Sequence, residues 1–245
     1  MTDPLPDYYR AAVVPEQLRA GLCALCRTPP PTDGSEFCSK CSNAPYRPDA
    51  AGFTSYAIDD APSGEDMRRY KGWSPNAARA LDGVRLLLEH GLAHLGCAEA
   101  LAGTGLDAVA VIPSRTHHVP GTPSPLQRLC SRTLPRGLPT VGLSPTPGST
   151  SDRRVRADAF DIGDCRGLSH ILIIDDTWVS GATMLSAVWG IRDRGVERVS
   201  VLALDRWLNR KYSLTVDFIR RVNLAHAWRR PQDVCPFTPD GECPQ

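Results

Sequence analysis

From Gly52 onward, short apolar runs alternate with stretches in which apolar residues recur every three or four positions. That alternation predicts interleaved strands and helices. The longest helical face steps through Ala77, Leu81, Val84, Leu88, Leu92 and Leu95, with Ser74 placed to cap it and Pro75 at its first position. Residues 108–112 (AVAVI), closed by Pro113, predict a buried strand. Pro125 opens a further helix, and residues 139–143 read as a weak strand. Residues 171–174 (ILII) form the most strand-like run in the chain. A helix follows with Met184, Ala187, Val188 and Ile191 on one face and Gly195 as its stop. Residues 199–204 supply another buried strand. Continuous apolar strands between amphipathic helices predict an α/β fold, doubly wound, with a mainly parallel sheet covered on both faces.

The periodicity divides the chain into three parts. Residues 1–50, rich in proline, cysteine and polar groups, predict a small module unable to bury much core by itself. Residues 51–208 carry the α/β pattern, and residues 209–245 read as an irregular tail. Within the α/β part, residues 144–158 combine Ser, Thr, Pro and Gly with several arginines, predicting a long, mobile, functional loop. With 245 residues, 42% hydrophobic and 22% charged, the chain has the composition of a globular protein. Its net charge of +1 supplies no global field for nucleic acid or an anionic membrane. No apolar run approaches the roughly 18 residues of a membrane span. The first ten residues lack the basic and apolar regions of a secretory signal, so a cytoplasmic location is expected, without membrane contact.

The chain has nine cysteines. Cys23 and Cys26 form one CxxC pair, Cys38 and Cys41 a second, and a Pro/Gly-rich spacer lies between them. Two close thiol pairs can wrap one tetrahedral zinc and close its coordination shell, which predicts a structural, zinc-ribbon-like site. The remaining five, Cys97, Cys130, Cys165, Cys235 and Cys243, are scattered. His226, Cys235 and Cys243 offer part of a second metal site in the tail, but their spacing is irregular and no fourth ligand is evident, so the tail thiols read as free surface groups. His117 and His118 read as part of a plain polar loop.

The segment with the most chemistry is residues 171–183, ILIIDDTWVSGAT. Four core residues deliver Asp175 and Asp176 to the carboxyl end of a strand, the edge where open α/β sheets bind ligands. Neighbouring strand residues point to opposite faces, so the two acids take different roles. The following Thr177, Trp178, Val179, Ser180, Gly181, Ala182 and Thr183 run from strand into helix. Free N–H groups, the helix dipole and small hydroxylated side chains there suit a phosphate. Gly181 would permit close backbone approach to it. Acids beside a bare phosphate would repel it; acids beside a ribose 5-phosphate can accept hydrogen bonds from the sugar hydroxyls.

This ordering of strand, acid pair and Thr/Ser-Gly-Ala-Thr loop resembles the phosphoribosyl pyrophosphate (PRPP) motif of type I phosphoribosyltransferases. Joined to the four-cysteine module, it resembles the ComF family of competence-associated, phosphoribosyltransferase-like proteins. Arg69-Tyr70-Lys71-Gly72, the strand ending in Pro113-Ser114-Arg115, and Arg156 with Phe160 are similar to further segments of that family. The family's Arg-Gly-Phe-Asn-Gln run has no counterpart in residues 117–123.

The resemblance implies displacement of pyrophosphate from the anomeric carbon of PRPP by an unidentified acceptor, with Mg²⁺ carried by substrate oxygens. It implies that Asp175 and Asp176 meet the ribose hydroxyls and that residues 177–183 hold the 5-phosphate. Ser114 and Arg115 would meet pyrophosphate, with Arg69, Lys71 and Arg153 as secondary candidates. An alternative is a PRPP-binding sensor or scaffold without turnover, linked to DNA uptake. A third reading, a zinc-ribbon nucleic-acid binder, has only Arg27 and Lys40 close to its knuckles, so nucleic-acid contact is expected to be weak or indirect. A homodimer is compatible with the sequence.

Overall fold

The computed structural model describes residues 5–29, 35–72, 76–114, 122–147 and 153–245. Its elements run β1 (Arg10–Ala11), α1 (Glu16–Arg19), α2 (Ser39–Ser42), β2 (Ala50–Ile58), α3 (Pro62–Arg69), α4 (Ala77–Ala93) and α5 (Leu95–Ala102). They continue through β3 (Ala108–Val111), α6 (Pro125–Thr133), β4 (Thr140–Val141), β5 (Leu143–Pro145), β6 (Phe160–Ile162), β7 (His170–Trp178), α7 (Ala182–Arg192), β8 (Arg198–Leu208) and α8 (Ser213–Leu224). Six strands form one sheet in the order β1-β2-β8-β7-β3-β4. All its pairings are parallel except β1 with β2. The fold is therefore α/β with a mainly parallel sheet, as the alternation predicts.

Each central strand feeds two cores by its period of two. Ile171 and Ile173 face one core with Ala187, Val188 and Ile191 of α7 and Phe218 and Val222 of α8. Leu172 and Ile174 face the other, with Val84, Leu87 and Leu88 of α4 and Leu129 of α6. Helix α4 buries Ala80, Gly83, Val84, Leu87, Leu88 and Gly91, a face rotated from the one its large residues suggest. A Cβ at Gly83 would meet the Tyr9 hydroxyl at 2.4 Å, and one at Gly91 would meet Leu202 at 2.8 Å. Those glycines let the helix lie close, so the smallest residues mark its inner side. Ser74 and Pro75, expected at its start, lie outside the described residues.

Three further findings refine the sequence reading. Beyond Trp207 the chain is not wholly irregular, since α8 spans 12 residues. The segment read as a long loop starts and ends in structure: β5 and β6 pair antiparallel, and the Arg156 N–H donates to Ser186 Oγ at 2.9 Å. Residues 148–152 of that segment lie outside the described residues. Finally, segments near both ends of the chain pack on the central sheet. Strand β1 pairs with β2, and Phe237 of the tail covers Gly52, where a Cβ would meet its ring at 2.8 Å.

Candidate functional site

Strand β7 extends to Trp178, three residues beyond the first acid, so only Val179, Ser180 and Gly181 connect it to α7. Gly181 precedes the helix with φ +81°. A Cβ there would meet the Trp178 indole at 2.6 Å. The absent side chain thus serves the turn and the packing of Trp178. Trp178 is fully buried edge-on against Phe53, with ring centroids 5.4 Å apart. Val179 is exposed, and Ser180 Oγ accepts from the Ala182 N–H at 3.4 Å. The next N–H groups, of Thr183 and Met184, have no acceptor within the helix.

The junction borders a cleft of about 390 Å³ lined by every residue from Asp175 to Met184. That volume lies within the range of small-molecule sites. Opposite the loop, Met67, Arg68, Tyr70 and Lys71 close one side, while Pro113, Ser114, Ser124 and Arg153 close others. Ser114 lines the same cleft as the acid pair. Arg115, His117 and His118 lie outside the described residues. Of the secondary candidates, Lys71 and Arg153 line the cleft. Arg69 does not; it pairs with Glu65 at 3.1 Å on the helix surface.

The two acids diverge as strand geometry requires. Asp175 Oδ1 accepts from the Asp176 N–H at 2.8 Å. Asp176 lies on the other face, where the Tyr70 hydroxyl donates to its Oδ2 and Lys71 Nζ pairs with the same oxygen. Oδ1 of Asp176 has no partner among the described residues. Burial, reinforced by the charge of Asp176, pushes the Tyr70 hydroxyl well above its ordinary range, so it remains a donor. Tyr70 was legible only as one letter of a motif, and its role as a donor at the acid pair depends on the fold.

Two residues at the end of β8 were missed. Asp205 is fully buried opposite Thr177, receives a hydrogen bond from Ser55 Oγ, and leaves Oδ2 without a partner. Arg206 bridges the candidate ligand loop and the cysteine module. Its guanidinium donates to the carbonyls of Trp178 at 2.8 Å and Val179 at 3.0 Å. It also donates to the Cys26 carbonyl at 2.7 Å, Thr28 Oγ1 at 2.7 Å and Cys26 Sγ at 3.5 Å. A charged pair ending a buried strand beside the twin aspartates was the available signal.

The four cysteines of the module converge. The Sγ atoms of Cys23, Cys26, Cys38 and Cys41 all lie within 4.8 Å of one another, with Cys26 and Cys38 at 3.8 Å. A tetrahedral zinc with Zn–S bonds of about 2.3 Å has sulfur–sulfur edges of about 3.8 Å, so the group fits such an ion. The Cys26 N–H donates to Cys23 Sγ at 3.5 Å, and Arg27 turns the first knuckle with φ +55°. The Arg206 guanidinium, 3.5 Å from Cys26 Sγ, favours the ligating thiolate there. The two basic residues beside the knuckles are engaged within the chain. Arg27 is buried and donates to the carbonyls of Ala12 at 3.1 Å and Ala51 at 3.3 Å, while Lys40 donates to the Arg153 carbonyl at 2.9 Å.

No family model matches the chain, and no curated protein matches it at a significant level. Among solved structures, the chain is similar to the Helicobacter pylori xanthine-guanine-hypoxanthine phosphoribosyltransferase, with 14% sequence identity over 56% of this chain and 93% of that one, and a TM-score of 0.28. No helix of the described residues is long and apolar enough to cross a membrane.

Proposed function

We propose that the chain is a type I phosphoribosyltransferase-like protein, of the ComF kind, that binds PRPP in the β7–α7 cleft and transfers its phosphoribosyl group to an acceptor. One observation carries the reading: an acid pair at the carboxyl end of a central parallel strand shares a cleft with a three-residue turn into a helix N-terminus. Asp175 and Asp176 accept from the ribose hydroxyls. Residues 179–183 hold the 5-phosphate through N–H groups and the hydroxyls of Ser180 and Thr183. Lys71, Arg153 and Ser114, on the far side, take the pyrophosphate.

In the reaction, the acceptor forms a bond to the anomeric carbon as the bond from that carbon to the pyrophosphate oxygen breaks, and pyrophosphate leaves with the electron pair. The developing positive charge at the sugar lies against the aspartates. Positioning and charge complementarity of this type can supply about 3–4 kcal/mol per well-placed group. Mg²⁺ accompanying PRPP would add charge neutralisation at the pyrophosphate, beside Lys71, Arg153 and Ser114. Cys23, Cys26, Cys38 and Cys41 would hold a zinc ion that fastens the module, and four protein ligands would leave it no open position for chemistry.

The engagement of Asp176 Oδ2 by Tyr70 and Lys71 favours a second reading, PRPP binding without turnover, because one oxygen of the acid pair is already satisfied. A pyrophosphate-release screen with PRPP, Mg²⁺ and a panel of amines and bases separates the two. Release above the buffer rate with one acceptor is expected for the transferase. Binding with no release across the panel would leave a sensor or scaffold.

A further inference from the structure

A second convergence of metal-binding side chains lies away from the cleft. His94 follows α4, and Cys97 sits in the first turn of α5, three residues later and therefore on the same side. Cys235 and Cys243 arrive from the tail. The Nδ1 or Nε2 and Sγ atoms of the four all lie within 4.8 Å of one another. His94 Nδ1 stands 3.6 Å from both Cys97 Sγ and Cys243 Sγ. The tail thiols that the sequence leaves as free surface groups thus acquire partners from the other end of the α/β domain. Cys235 is buried rather than exposed.

We propose that His94, Cys97, Cys235 and Cys243 form a second, structural zinc site that fastens the C-terminal tail to the α4–α5 junction. The distances support this. A tetrahedral ion with Zn–S of about 2.3 Å and Zn–N of about 2.0–2.1 Å has sulfur–nitrogen edges of about 3.6 Å. Three thiolates and one imidazole are a soft donor set that selects zinc over magnesium or calcium. Four protein ligands close the shell, which assigns the ion to structure and not to catalysis.

The backbone around the cluster is built to present it. The Cys235 N–H donates to the Gly241 carbonyl at 2.7 Å, closing the loop between the two tail cysteines. Gly241 turns that loop with φ +84°, where a Cβ would meet Val234 and Arg229 at 3.0 Å. Thr238 Oγ1 donates to the Glu242 carbonyl at 2.7 Å, and the Glu242 N–H donates to Asp240 Oδ1 at 3.0 Å. On the helix side, the Cys97 N–H donates to the His94 carbonyl at 3.0 Å. The tail so held also contacts the sheet, where the Phe53 N–H donates to the Pro236 carbonyl at 3.0 Å. Loss of the ion would therefore loosen the cover over Gly52 and Phe53. His226, the sequence candidate, is not a member of the cluster.

This proposal does not depend on what the cleft binds. Its test is the zinc content of the full chain, purified under reducing conditions, beside that of Cys97→Ser/Cys243→Ser. Two zinc ions per chain are expected, falling to one in the variant. One ion in the unaltered chain, or equal content in both proteins, would overturn the proposal. Should the variant fail to fold, ¹¹³Cd-substituted unaltered protein keeps the question open to measurement. Two resonances are expected, one in the four-sulfur region and one upfield, where three sulfurs and a nitrogen resonate. A single four-sulfur resonance would refute the second site.

Discussion

Among the described residues, Asp205 is a carboxyl group fully buried in the core. Burial pushes it well above its ordinary range, the Ser55 hydrogen bond opposes that rise, and the negative charges of Asp176 and Asp66 add to it. The folded chain thus keeps a proton there that the unfolded chain releases above about pH 4. Because the unfolded state then binds fewer protons, stability falls as pH rises from about 4 until the folded carboxyl itself ionises. Asp205→Asn removes this linkage. The melting temperature of the variant relative to the unaltered chain is expected to climb between pH 4 and pH 8. A difference independent of pH would show that Asp205 ionises normally. At this scale the acids of β7 were legible because they follow four core residues without interruption. The companions of Asp176, namely Tyr70 and Lys71, lie more than a hundred positions away, and only packing brings them to it.

Among the elements, β8 and the β7–α7 turn are coupled to the cysteine module through Arg206. Its planar donor fork reaches carbonyls on both sides at once, a geometry that lysine cannot reproduce. Arg206→Lys leaves buried acceptors unmet, at a cost of about 1–3 kcal/mol each. It is expected to lower PRPP affinity at least tenfold while the four-cysteine zinc stays bound. Unchanged affinity, measured by calorimetry, would show that the turn holds its shape without this brace. The apolar runs of β3, β7 and β8 could be read directly, since strands buried on both faces have little else to be. Two helices were harder. Glycines hid the inner face of α4, and α8 buries only Thr215, Phe218 and Val222 between charged positions, too thin a stripe to stand out.

For the whole molecule, distance along the chain decided what could be read. The module's four cysteines lie within 19 consecutive residues and announce their ligand set by spacing alone. The other cluster draws on His94 and Cys243, 149 positions apart, and becomes visible only when the tail has returned to the α/β domain. The same return buries Cys235 and Phe237 in the core shared with α4, so the tail stabilises the layer that carries Tyr70 toward the cleft. The cleft itself rests on all of these supports. The most direct measurement is calorimetric titration of the full chain with PRPP and Mg²⁺, repeated on Asp175→Asn/Asp176→Asn. Saturable binding is expected in the unaltered protein, weakened at least a hundredfold in the variant, as two charge-assisted contacts of about 1.5–3 kcal/mol each imply. No heat from the unaltered chain at millimolar PRPP, or equal affinity in both proteins, would contradict a sugar phosphate held at the β7–α7 junction.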